Sequence, residues 1–274
     1  MFSPGFNPST IKSFFVFLQN FKTPHPHFFS EAWSLSVEEW FYLLIPLLLF
    51  IFSGLLRIRL KQTILAIAIL IILFSAVIRY YRFIHVDAYS TAIWDSLFRK
   101  QVITRLDSIM FGVIGAYVAF YYKLFFVKYK IHFFITGLVI LIIEKIPVPF
   151  NLMDVKLYMC VFSLMKTSIG TLFLLPFLAE VKHGKGFLYK TITYVSLTSY
   201  SMYLINYSLI REGIIKKLPG YGSQTTGMMV LENLLYYGLV IILSILIYKY
   251  FEKPIMDLRE RIRMPHRNPK PIKY

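Results

Sequence analysis

Residues 62–80 read QTILAIAILIILFSAVIRY, an apolar run of nineteen residues. A helix that crosses a bilayer needs about 20 mostly apolar residues at about 1.5 Å rise each. Six other stretches come close to the same length: 40–56, 103–122, 131–146, 157–179, 192–211 and 228–250. The stretch 131–146 is short and needs flanking residues or local bilayer thinning to cross. An open sheet is excluded at these lengths, because hydrocarbon cannot satisfy free backbone amides. The expected fold is therefore all-α, a polytopic transmembrane helix bundle of about seven spans.

Composition agrees. Of 274 residues, 57% are hydrophobic and 16% charged, with 18% aromatic. The mean hydropathy is +0.60. Soluble domains run at about 45–50% apolar and about 25% charged, so this is a chain solvated by lipid rather than a soluble globular domain. The length suits one bundle. We expect a single transmembrane domain over 1–252 and a basic cytoplasmic tail over 253–274. The only cysteine, Cys160, lies in an apolar run, so no internal disulfide can form and a buried small side chain is expected there. Residues 1–10 are polar and the following IKSFFVFLQNF (11–21) is too short to span, so no secretory signal is read. That segment resembles the end of a helix without its front half. Together with seven spans and an outer N-terminus, it suggests upstream spans not contained in this chain.

Lys and Arg set the orientation. With residues 1–39 outside, the inner loops hold Arg57, Arg59 and Lys61; Lys123, Lys128 and Lys130; Lys182, Lys185 and Lys190; and the tail from Lys253 to Lys273. That places sixteen basic residues inside against nine outside, among them Lys22, Arg82, Lys145, Lys156 and Arg211. The positive-inside rule selects this arrangement. The net charge of +16 is thereby read as topology, and nucleic acid is not an expected partner. The stretch RERIRMPHRNPKPIKY (259–274) reads as a disordered cytoplasmic end attracted to anionic lipid.

A charge near the bilayer centre costs about 2.5–3.5 kcal/mol, so such residues face the bundle interior by default. Lys166 lies mid-span with no acid within one helical turn, which calls for a partner on another helix or marks a site. Arg105 and Asp107 open the 103–122 span and are either site residues or anchors. Ser108, Gly112 and Ala116 form a small-residue stripe suited to close helix packing. Ser196, Ser199, Tyr203 and Asn206 recur on one helical face, for inter-helix hydrogen bonding or a wet cavity. Glu38, Glu39 and Glu232 lie at outer span ends, at a depth similar to Arg105, Asp107 and Asn206, which suggests an outward-facing polar cavity. His25 and His27 flank Pro26 but lack the Cys or carboxylate pattern of a metal site, and no metal is expected.

The segment WSLSVEEWFY (33–42), with Pro46 in the helix that follows, resembles a signature of the acyltransferase 3 family of integral membrane O-acyltransferases. TRLDS (104–108) leading into Gly112, SYSMYL (199–204) and YKYFEKP (248–254) resemble three later family motifs and come in the family's order. The resemblance runs from about residue 14 to about residue 260. It implies an acyl-CoA donor, often acetyl-CoA, used as a substrate with no cofactor bound. It also implies a hydroxyl acceptor on a surface glycan or glycolipid, and a multi-pass location in the plasma or inner membrane.

By that resemblance Glu38 orders the site or supports a base, and Arg105 and Asp107 shape the donor or acceptor cavity. These three are the catalytic candidates. Trp33, Ser36, Tyr203, Asn206 and Lys166 are the substrate-contact candidates. The family typically has ten spans, with its presumed catalytic histidine in the first and an RxxR motif before WSLS. This chain matches the last seven and carries neither feature. Many relatives have His where Asn206 stands. The chain therefore reads as an amino-terminally shortened acyltransferase, or as an inactive relative. A transporter or flippase, or a non-enzymatic seven-span protein, are the competing readings. Against the transporter, no repeated halves and no paired broken helices are found.

Overall fold

The computed structural model describes residues 8–26, 28–86, 90–143, 153–181, 184–219, 221–222 and 225–263. His27, Lys145, Lys182, His183 and the tail from Met264 to Tyr274, including His266, lie outside the described residues. The described chain is helical, with no strand among the described residues. It packs as two compact units, one of Met1–His27 with Ala32–His183, the other of Phe28–Glu31 with Gly184–Tyr274.

The first unit begins with α1 (Pro8–Phe15) and then α2 (Ala32–Leu49). Pro46 lacks an N–H, and four residues later α2 passes into a wide π turn at Phe50–Leu55. α3 (Leu60–His85), α4 (Thr91–Trp94) and α5 (Val102–Tyr121) follow, then α6 (Lys123–Lys128) and α7 (Lys130–Ile143). α8 (Met153–Leu157) joins α9 (Ser163–Leu178) through a π turn at Tyr158–Phe162. α5 packs against α2, α3 and α9, and α7 packs against α9. Ala68, Ile72, Met110 and Phe111 form the contact between α3 and α5. Val37 of α2 meets Val102 and Leu106 of α5 in a neighbouring cluster.

The second unit holds α10 (Phe187–Ile205), which ends in a π turn at Asn206–Glu212, and α11 (Thr226–Ile247), which continues through Tyr248–Glu252 into α12 (Lys253–Arg263). Ile205, Ile210, Ile215 and Val240 make its core.

All seven expected stretches are helical over most of their described residues. Among the described residues, five helices are long and apolar enough to cross a membrane: Ala32–Leu55, Leu60–His85, Val102–Tyr121, Val155–Leu178 and Thr226–Ile262. Lys130–Ile143 is apolar but shorter, and residues 144–146 lie outside the described residues. The helix at Phe187–Ile205 falls outside this group because Thr191, Thr193, Ser196, Thr198, Ser199 and Ser201 dilute its apolar character. The last helix runs on to Arg263, so residues 259–263 of the stretch expected to be disordered are helical.

Two packing expectations are corrected. The stripe Ser108, Gly112, Ala116 does not carry close packing: Gly112 and Ala116 are exposed, and nothing lies within 4 Å of a Cβ built on Gly112. Close approach falls instead at Gly115 against Leu172, and at Gly137, where a Cβ would sit 2.7 Å from the Gly170 carbonyl oxygen. On α10, Ser196 and Ser199 are exposed, and the buried face is Thr198, Ser201 and Ile205. Ser199 donates its hydroxyl hydrogen to the Ser196 carbonyl (2.8 Å), and this local bond removes the need for an interior partner.

Candidate functional site

In the first unit, polar side chains converge at one end of α2, α3 and α5. Arg79 of α3 is completely buried and forms an ion pair with Asp107 of α5 (2.7 Å), itself 1% exposed. Its other terminal nitrogen donates to the Thr104 carbonyl (2.6 Å). A guanidinium and a carboxylate out of water demand each other, because either alone would carry its full desolvation cost. The Arg79–Asp107 pair thus fixes the first turns of α5.

The segment between α1 and α2 closes over the same end. Asn20 Nδ2 donates to the carbonyls of Trp33 (3.0 Å) and Lys100 (2.8 Å), while its own carbonyl accepts from Val102 N (3.0 Å). Gln19 Nε2 donates to Ser36 Oγ, and Ser36 in turn donates to the Ala32 carbonyl (3.2 Å). Trp40 Nε1 donates to the Phe17 carbonyl (2.9 Å). The Arg99 guanidinium lies over the Trp33 ring at 5.5 Å, and Asp95 pairs with both Arg99 and Lys100. Segment 33–42 is thereby tied to α5 through Asn20, a single buried amide that sequence reading passed over.

The sequence-derived candidates fall in distinct surroundings. Ser36 is buried, Trp33 and Arg105 are half-buried, and Ser108 donates to the Arg105 carbonyl (2.7 Å). Glu38 does not face the interior as expected: it is exposed, as is Glu39, while Ser36 and Val37 before them are buried. The inward positions of α2 are taken by Val37, Trp40, Phe41 and Leu44, which pack on α5. Lys166 is half-buried, and its ammonium sits over the Tyr158 ring of the same continuous helix at 5.2 Å. Cys160 is buried, with a free thiol.

The second unit holds Tyr203 and Asn206, both half-buried. Asn206 opens the π turn, and that turn is held by Glu31, a residue sequence reading missed. The Glu31 carboxylate accepts the Tyr207 N–H (3.0 Å), the Ser208 N–H (2.6 Å) and the Ser208 hydroxyl, and the Tyr203 hydroxyl donates to the Glu31 carbonyl (2.8 Å). Glu31 is 5% exposed. Two amides freed where the ladder widens need an acceptor, and the carboxylate supplies it. The motifs at 199–204 and 248–254 also meet: Ser201 donates to Glu252 Oε2 at 2.7 Å.

Of the histidines in the described residues, His25 contacts the Pro26 carbonyl (2.6 Å) and the Phe14 ring, His85 contacts the Tyr81 carbonyl (2.7 Å), and His132 lies beside the Tyr129 ring. No cluster of three potential metal ligands occurs among the described residues.

A family model described as an acyltransferase domain matches residues 1–249. Neither the curated proteins nor the solved structures gave a match.

Proposed function

From the premise that this chain belongs to the acyltransferase 3 family, we propose that it serves transfer of an acyl group, acetyl in the first instance, from acyl-CoA to a hydroxyl of a cell-surface glycan or glycolipid. The observation that carries the reading is the family match over 1–249. It is supported by the polar contacts that hold segments 33–42 and 104–108 in the first unit, and by the bond from Ser201 to Glu252 in the second. The chain is a multi-pass membrane protein, and we place it in the plasma or inner membrane with its C-terminus in the cytoplasm.

In the transfer, the acceptor oxygen bonds to the acyl carbonyl carbon and the carbon–sulfur bond breaks. The hydroxyl proton passes to a base, and coenzyme A leaves as its thiol after taking up a proton. A sugar hydroxyl is a poor nucleophile unless that proton is being removed. In this reading Glu38, on the open side of α2, orders the site or supports the base. Arg105 contacts donor or acceptor, and Asp107 acts from its ion pair with Arg79. Trp33, Ser36, Tyr203, Asn206 and Lys166 contact substrate. Asn206 offers hydrogen bonds but cannot take a proton near neutral pH. Histidine is suited to the base by its near-neutral pKa, and none stands at these positions. The reading therefore carries with it that this chain alone is a poor or inactive catalyst.

The test is transfer of labelled acetyl from acetyl-CoA to surface glycan in membranes containing only this chain, with labelled acetyl-CoA retention by the purified protein as a second readout. Glu38→Gln and Arg105→Ala are expected to lower transfer, retention or both. Robust turnover indifferent to both substitutions would overturn the site assignment. Solute uptake into proteoliposomes without acyl-CoA would favour a transporter.

A further inference from the structure

The second unit contains a cavity of about 350 Å³ between the end of the π turn at Asn206–Glu212 and the Glu232–Tyr237 stretch of α11. Its wall includes Arg211, Tyr221, Glu232, Asn233, Tyr236 and Tyr237. The volume lies at the lower end of the range of about 300–1,000 Å³ for small-ligand sites, yet the lining is not the usual mostly apolar one. One guanidinium, one carboxylate, one amide and three phenols share a single hollow.

We propose that this cavity binds a neutral sugar ring of the acceptor glycan. The inference rests on the acyl-transfer reading above and adds to it the place and chemistry of acceptor recognition. Planar carboxylate, amide and guanidinium groups pair with adjacent sugar hydroxyls as acceptors and donors, and charge-assisted bonds of this kind are the strong ones. Tyrosine rings supply an amphipathic wall, apolar for the C–H face of a pyranose and polar at the hydroxyl.

The charges decide the ligand class. Glu232 is half-buried, and its Oε1 accepts the Gly222 N–H (3.2 Å), so the carboxylate is held in the wall. A fixed carboxylate repels a phosphate or an anionic lipid headgroup. Arg211 balances it, with its guanidinium 5.9 Å from the Tyr207 ring. Lys216 does not add a second free charge, because it is paired with Glu212 at 2.6 Å. The Glu212 hydrogen bond holds the Lys216 ammonium above its ordinary range. The wall is therefore close to neutral and rich in donors and acceptors, which fits a polyhydroxyl ligand. Arg211 lies in the same π turn that Asn206 opens, and this links the cavity to a substrate-contact candidate within one helical segment.

The experiment is saturation-transfer difference NMR on the full chain in detergent, with tetramers of glucose, galactose and mannose as probes. Labelled acetyl-CoA retention is measured on the same sample. We expect ring protons of at least one tetramer to receive saturation from the protein. We expect Glu232→Gln and Tyr237→Ala each to weaken that tetramer about tenfold, the loss of one good polar or stacking contact. Tyr237 is exposed and stands outside the core of the unit, so its removal leaves folding intact. Acetyl-CoA retention with no tetramer bound overturns the cavity assignment and leaves acyl transfer standing. Tetramer binding unchanged in both variants, or displaced by phosphatidylglycerol, also overturns the assignment. Loss of acetyl-CoA retention in the unaltered protein counts against the acyl-transfer reading instead.

Discussion

Arg79 and Asp107 meet at 2.7 Å across the contact between α3 and α5, and neither side chain reaches solvent. The sequence shows a basic residue near the end of one apolar run and an acid near the start of the next. Their pairing turns two costly burials into one shared contact.

Asp107→Ala strands the Arg79 guanidinium in the interior. The expected loss of stability is about 3–5 kcal/mol, as for other broken buried pairs. Arg79→Met combined with Asp107→Leu removes both charges and is expected to recover most of it. Thermal melting in detergent compares the three variants. A double variant as unstable as the single one would show that the pair is not the source.

Glu31→Gln keeps one acceptor but loses the charge that draws in the Tyr207 and Ser208 amides. The π turn at Asn206–Glu212 is expected to loosen at a cost of about 1–3 kcal/mol. Hydrogen exchange followed at residues 206–212 should quicken there and stay unchanged in α3 and α5. Uniform protection across both regions would remove Glu31 from this role.

The bond from Ser201 to Glu252 is a candidate for a double-mutant cycle with Ser201→Ala and Glu252→Gln. Hydrogen bonds between membrane helices average about 0.6 kcal/mol and reach about 1.7. A charged acceptor places this one toward the upper value. A coupling energy indistinguishable from zero would mean that the two motifs touch without holding each other.

Gly137→Ala places a methyl 2.7 Å from the Gly170 carbonyl oxygen, a backbone atom with little freedom to yield. The expected destabilisation is about 1–3 kcal/mol, the usual scale of overpacking. Gly112→Ala meets nothing within 4 Å and is expected to be neutral or slightly stabilising, since alanine favours the helix. Melting temperatures of the two variants should differ in that order.

The helical class was legible because lipid imposes one local requirement: each spanning segment must satisfy its own backbone over about 20 apolar residues. Runs such as 62–80 state that requirement without reference to the rest of the chain. The family was legible for a related reason, since segments such as WSLSVEEWFY are contiguous and their order survives in the linear sequence.

What only the tertiary structure decided was which face of each helix is inward. In a chain solvated by lipid, apolar residues cover both the interior and the exterior, so hydrophobicity no longer separates inside from outside. Glu38 and Ser199 therefore read as interior groups but are exposed, while Ser36 and Ser201 are buried. The pairings of Arg79 with Asp107, Glu31 with Ser208, and Asn20 with Lys100 span long stretches of chain. Such contacts have no periodic signature. They exist because a buried charge or amide must find whichever partner the packing of distant helices brings within reach.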